Sequence, residues 1–128
     1  EEHVGRGACI GDYDNDGDLD IFIVNLNSRA VFLRNNKGNQ NNWLMLDLEG
    51  TTSNREGIGA RVKITSGGKI QIAQKKTTTG YLSQNDPRIH FGLAGNNNVE
   101  RIEIKWPSGK IQVLENVKAN QILEVKEP

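Results

Sequence analysis

The chain has 128 residues, the length of one ordinary domain, which is enough to bury a core and too short for two large lobes. Sixteen Lys and Arg balance sixteen Asp and Glu, so no excess of positive charge exists to hold nucleic acid or an anionic membrane. Hydrophobic residues make up only 35%, and the longest apolar run, Ile21 to Val24, falls far short of a membrane span.

A chain this polar buries its apolar residues economically, as strands with one wet face do. With Cys9 as the single cysteine, no internal disulfide can form, and stability must come from packing or from something bound. The N-terminus lacks the charged and apolar regions of a signal peptide, so a soluble chain is expected, with any export signal outside these residues. Charge is unevenly spread: residues 1 to 49 hold 4 basic and 9 acidic side chains, residues 50 to 128 hold 12 and 7. Two mutually attracting surfaces would follow from that.

The first predicted elements are short apolar strands, Ala8-Cys9-Ile10 and Ile21-Phe22-Ile23-Val24. Between them runs Asp12-Tyr13-Asp14-Asn15-Asp16-Gly17-Asp18-Leu19-Asp20. Five carboxylates in nine residues repel one another, each close pair at about 5 Å by roughly 1 kcal/mol in water and about 3 at a partly shielded site. Such a loop folds best around a cation. Asp12, Asp14 and Asp16 can point three oxygens at one centre, Gly17 permits the bend, the backbone carbonyl of Asp18 can add a donor, and Asp20 can close the shell. An all-oxygen site without Cys or His suits Ca2+; magnesium wants tighter octahedral geometry and zinc wants nitrogen or sulfur. An EF-hand would need Glu where Ile23 stands and helices where strands are read. A metal-free acidic turn is the bland alternative.

Beyond Asn35 to Asn42, a turn-forming cluster, apolar residues recur at every second position: Trp43 and Met45 or Leu44, Leu46 and Leu48; Val62 and Ile64; Ile70 and Ile72; Ile89, Phe91 and Leu93; Ile102, Ile104 and Trp106; Ile111 and Val113; Ile122 and Val125. This periodicity, with β-branched enrichment, predicts strands. Gly50 to Gly59, Gly67-Gly68, Gly95 to Asn98 and Pro107-Ser108-Gly109 separate them at the spacing of an all-β sandwich or barrel. The runs Arg61 to Ile72 and Arg101 to Val113 share a strand, a glycine turn and Lys-Ile-Gln before a β-branched residue. Both predict hairpins whose apolar alternation faces one core.

Gly5-x-Gly7-x3-Gly11-Asp12-x-Asp14-Asn15-Asp16-Gly17-x2-Asp20 resembles the calcium loop of the FG-GAP and VCBS repeats that build blades of integrin-like β-propellers. That resemblance implies Ca2+ ligands at Asp12, Asp14, Asp16, Asp18 through its backbone, and Asp20. Gly57-Ile-Gly59-Ala-Arg61-Val62, the stretch Gly80 to Leu93 and Trp106-Pro107-Ser108-Gly109 resemble the ASPIC/UnbV domain, which often follows such repeats in secreted or surface proteins. The expected organisation is a partial calcium-binding repeat over residues 1–42 and an ASPIC/UnbV-like β domain over 43–128. One repeat cannot bury its own face. Either the chain is the tail of a longer protein, or the N-terminal hairpin packs on the second domain or self-associates with another copy.

The remaining chemistry-bearing residues read blandly. Cys9 suits a buried inert thiol. His90 faces away from Ile89 and Phe91 as an ordinary strand histidine. Ser83 and Ser108 lack the elbow of a hydrolase nucleophile. Gly57-Ile58-Gly59 leads into a strand and so makes no phosphate cradle. Tyr81, Trp43 and Trp106 read as core aromatics, and Asp86-Pro87 as a turn with Arg88 paired to Asp86. The functional expectation is a noncatalytic, calcium-binding extracellular interaction or adhesion module for a protein or glycan partner. The alternative is an accessory substrate-binding part of a polysaccharide-acting enzyme.

Overall fold

Wherever β-branched and polar residues alternate, the backbone extends, and the glycine clusters end each run. The computed structural model describes residues 4–78 and 80–128; residues 1–3, in the expected first domain, and Thr79 lie outside the described residues. The strands are β1 (Gly5–Gly11), β2 (Asp20–Asn25), β3 (Val31–Leu33), β4 (Asn42–Glu49), β5 (Arg61–Ser66), β6 (Lys69–Gln74), β7 (Ile89–Ala94), β8 (Asn98–Lys105), β9 (Ile111–Lys118) and β10 (Gln121–Lys126), with a 3-10 turn at Gly38–Gln40. The fold is all-β, and its sheets do not close into a barrel. No helix among the described residues is long and apolar enough to cross a membrane. The chain divides into two compact units, Glu1–Gln40 with Thr77–Pro87, and Asn41–Lys76 with Arg88–Pro128.

In the first unit β1, β2 and β3 form an antiparallel sheet in that order. The acidic loop closes the β1–β2 hairpin, whose last pair is Gly11 with Asp20. At Ile10 the outer edge of β1 is covered from within the unit. The Ile10 amide donates to Asn85 Oδ1 (3.0 Å) and its carbonyl accepts from the Asp86 amide (2.9 Å). Upstream, Gly80 bridges to Ser83 in a tight turn whose Leu82 sits at φ 47°, a left-handed conformation that glycine or asparagine usually takes. Phe22, Val24, Phe32 and Leu33 all stay exposed. Every buried hydrophobic side chain among the described residues belongs to the second unit; the first unit buries Asp12, Asp18, Asp20 and Asn25 instead.

The second unit is a sandwich of two sheets, ordered β10-β4-β7 and β6-β5-β8-β9. Leu44, Leu46, Leu48, Ile89, Phe91, Leu93 and Val125 of one sheet meet Val62, Ile64, Val99, Ile102 and Ile104 of the other, with Trp106 and Ala60, in one core. β10 runs parallel to β4, Ile122 opposite Met45 and Val125 opposite Leu48, while β4 pairs antiparallel with β7.

The two expected hairpins are present as β5–β6 and β8–β9. Their second strands overturn the expected facing. Ile72 pairs with Lys63 and Val113 with Glu103, on the outer face, and Ile70, Ile72, Ile111 and Val113 are exposed. The glutamines between them turn inward: Gln71 Nε2 donates to Gly92 O (2.8 Å), and Gln112 Oε1 accepts from Trp106 Nε1 (2.9 Å). The inward Gln112 gives the buried indole N–H an acceptor whose loss would cost about 1 to 3 kcal/mol, and the inward Gln71 caps the Gly92 carbonyl.

Candidate metal centre

The loop Asp12 to Asp20 curls because its carboxylates cap its own amides. Asp12 accepts from the amides of Asp16 (3.1 Å) and Gly17 (2.9 Å), and Asp16 Oδ1 from that of Asp18 (2.9 Å). Asn15 (φ 58°) and Gly17 (φ 95°) supply the left-handed residues that this tight curl needs. Asp20, first residue of β2, accepts from Tyr13 N (3.2 Å) with one oxygen and from Asn35 N (2.8 Å) with the other. Each bond fixes a carboxylate while leaving further lone pairs for another ligand.

Of the five aspartates singled out in the sequence, Asp12, Asp14 and Asp20 are brought together, each offering one carboxylate oxygen within 4.8 Å of the others. Asp12 and Asp20 are buried and Asp14 exposed, where it is ion-paired with Arg34. Asp16 is half-buried and outside that triplet. The Asp18 side chain is buried, with Oδ2 accepting from the Gly38 amide (2.8 Å) and Oδ1 left without a hydrogen-bond partner. Burial pushes the Asp18 carboxyl above its usual range against the pull of the Gly38 amide, and the negative charges of Asp16, Asp20 and Asp12 push the same way. An orphaned buried oxygen among mutually repelling acids is the donor set a hard divalent cation fits.

Four contributors were not marked in the sequence as partners of the loop. Arg34, Asn35 and Gly38 reach the loop from the far end of the β2–β3 hairpin. Asp86 reaches it from the segment along β1: its Oδ2 accepts from Asp12 N (3.4 Å). A Cβ on Gly11 would lie 3.1 Å from Asp86 Cβ, so glycine there permits the approach.

Elsewhere, Cys9 is half-buried rather than buried, and Tyr81 is exposed, not core. Cys9, Tyr81 and Leu82 line a groove of about 410 Å³ within the first unit, with Phe22, Val24 and Arg6. His90 stacks on Trp43 at 6.4 Å between ring centroids, and Trp106 is a core residue. Gly57, at φ 62°, is where Trp106 needs room: a Cβ there would lie 3.3 Å from the indole. Ser108 has a partner its turn motif did not announce. The Glu127 carboxylate, buried at the end of β10, accepts from the amides of Thr51 (2.9 Å), Thr52 (2.9 Å) and Ser53 (2.7 Å) and from the hydroxyls of Ser53 (3.0 Å) and Ser108 (2.5 Å). Burial alone would raise its pKa, but the bonds from Ser108, Ser53 and Thr51 hold it at about 2. Lys75, also buried, directs Nζ to Leu48 O (3.5 Å) and Asp47 (3.7 Å).

Comparison with known proteins gives the family. The model of the family described as ASPIC and UnbV matches residues 50–128. Cartilage acidic protein 1 of Homo sapiens is 35% identical over 136 residues, 99% of this chain and 20% of that protein. The Mus musculus and Xenopus tropicalis proteins of the same name are each 33% identical, over 99% and 97% of this chain and 20% of their own length. The chain thus spans about one fifth of the curated relatives it matches, and the acidic loop lies inside the human alignment. The chain belongs to the ASPIC and UnbV family.

Proposed function

We propose that the chain is a noncatalytic, calcium-stabilised extracellular interaction module that binds a protein or glycan partner. Asp12, Asp14, Asp16 and Asp20 would hold the ion through carboxylates and Asp18 through its backbone, in a loop of the FG-GAP and VCBS type. The observation that carries this reading is the make-up of the first unit. Its buried side chains among the described residues are polar, three of them aspartates, with one Asp18 oxygen unpartnered. A unit without buried apolar side chains needs another source of cohesion, and a divalent ion that neutralises its central acids supplies one. The ion's chemistry here is structural: it would cancel repulsion and fix the loop. Extracellular modules bind calcium at roughly 10⁻⁴ to 10⁻³ M, a concentration met outside the cytoplasm, and the cartilage in the relatives' name agrees with that setting.

The exposed Phe22, Val24, Phe32 and Leu33 support contact with a partner or with a second copy. Calorimetric titration of calcium into chelator-stripped protein tests the metal; absence of heat, with no change in melting temperature, overturns it. Arrays of glycans and matrix proteins, probed with calcium and with chelator, test the partner. Release of product from any arrayed polymer overturns the noncatalytic assignment.

A further inference from the structure

The acidic loop and two highly exposed side chains of the first unit, Tyr81 and Leu82, are joined by one short path. Leu82 is 88% exposed and Tyr81 77%, at the tip of the Gly80–Ser83 turn. Leu82 holds a left-handed backbone despite this exposure. What fixes this turn lies at its two ends along β1. A Cβ on Gly7 would lie 2.7 Å from Ser83 Oγ, so the turn lies flush against that glycine. Two and three residues beyond Ser83, Asn85 and Asp86 cover both backbone groups of Ile10, and Asp86 Oδ2 takes the amide of Asp12. Asp12 is the first carboxylate of the loop, and its own oxygens hold the amides of Asp16 and Gly17.

We infer that ion occupancy in the loop controls the order of Gly80–Pro87, with Asp86 as the positioning residue, so that the Tyr81-Leu82 tip is presented in one geometry only when calcium is bound. This rests on the metal reading above and adds its regulation. The physical reason is charge. Asp86 brings one more carboxylate to a loop that already holds five, and its Oδ2 meets the loop at a 3.4 Å contact to the Asp12 amide. Without a cation the loop repels Asp86 and splays at Asp12. With one bound, the repulsion is cancelled and the Asp12 amide is locked in line with Asp86. Coupling of this kind is reciprocal: whatever factor calcium adds to loop order, an ordered loop adds to calcium affinity.

The test is hydrogen exchange of the 80–87 amides in the whole chain, with chelator and with about 5 mM calcium, above the weak end of extracellular affinities. Calorimetry on the same samples gives the calcium Kd. Protection is expected to rise at least about fivefold with calcium. In Asp86→Ala that rise disappears and the calcium Kd weakens by the same factor. Asp86→Asn keeps an acceptor for the Asp12 amide but not the charge, so its 80–87 amides are expected to be protected in chelator and calcium alike and its calcium Kd to stay near that of the wild type, which a merely misfolded Asp86→Ala could not mimic. Calcium binding that leaves 80–87 protection unchanged, or an Asp86→Ala Kd equal to that of the wild type, overturns the inference while the metal reading stands. No calcium binding in the wild type overturns both.

Discussion

Ser53 fastens both oxygens of Glu127: its amide donates to Oε2 at 2.7 Å and its hydroxyl to Oε1 at 3.0 Å. The amides of Thr51 and Thr52 and the hydroxyl of Ser108 complete the cradle, so the end of β10 is tied to the loop after β4 and to the β8–β9 turn. A carboxyl held at about 2 instead of its ordinary 4.5 stabilises the native state fully above pH 4.5, and this contribution is lost as the pH falls from there toward 2. Glu127→Gln is therefore expected to lower the melting temperature at pH 7 and to converge on the wild type in that acid window. Melting curves read from tryptophan fluorescence between pH 2 and 7 check this; two parallel curves would refute the assignment.

Calcium at about 10 mM, roughly 10 to 100 times the expected Kd, should stabilise the chain by about 1.4 to 2.7 kcal/mol, and magnesium by less. Asp16→Ala removes a carboxylate and the cap on the Asp18 amide, and is expected to abolish the response. Asp18→Asn acts in the opposite direction when no ion is present. It replaces a buried charge that has one oxygen unpartnered, so its melting temperature in chelator should rise, while the shift produced by calcium should shrink. Differential scanning fluorimetry of the three proteins in chelator, magnesium and calcium separates these outcomes.

The legible parts were those written in local spacing. The approach of Asp12, Asp14 and Asp20 is local, since nine residues and a glycine bend suffice to gather them, although the spacing groups Asp16 and Asp18 with them and the triplet leaves both out. The approach of Arg34, Gly38 and Asp86 is not, since each arrives by a contact between segments that spacing does not encode. Strand periodicity was equally local: it marks which residues share a face, not which face is buried. In Lys69-Ile70-Gln71-Ile72 and Lys110-Ile111-Gln112-Val113 both alternations are available, and the choice falls to distant acceptors and donors, Gly92 O and the Trp106 indole. Nor does anything in Gln121–Lys126 announce a parallel partner 77 residues away in β4.

That choice of face can be measured. Ile102 lies fully buried between the sheets, whereas Ile72 is 72% exposed on the outer face. Ile102→Ala should cost about 2 to 5 kcal/mol through lost burial and the cavity left behind. Ile72→Ala should stay within about 0.5 kcal/mol of the wild type. Urea unfolding of the pair checks both; equal losses would put Ile72 in the core and reverse the facing of β6.

The Trp106–Gln112 bond provides the sharpest single test of the inward glutamines. Trp106 is almost wholly buried, and its Nε1 hydrogen is taken by Gln112 Oε1 across the β8–β9 hairpin at 2.9 Å. Gln112→Leu keeps the bulk and removes the acceptor, leaving an indole donor desolvated and unpaired, which should cost about 1 to 3 kcal/mol. Gln112→Glu retains an acceptor, so its loss should be smaller at pH 7 and grow toward that of Leu as the carboxyl protonates. Urea midpoints for both variants at pH 7 and pH 4 decide the matter. If Gln112→Leu is as stable as the wild type, the indole does not depend on Gln112, and the inward facing of the glutamine needs another cause.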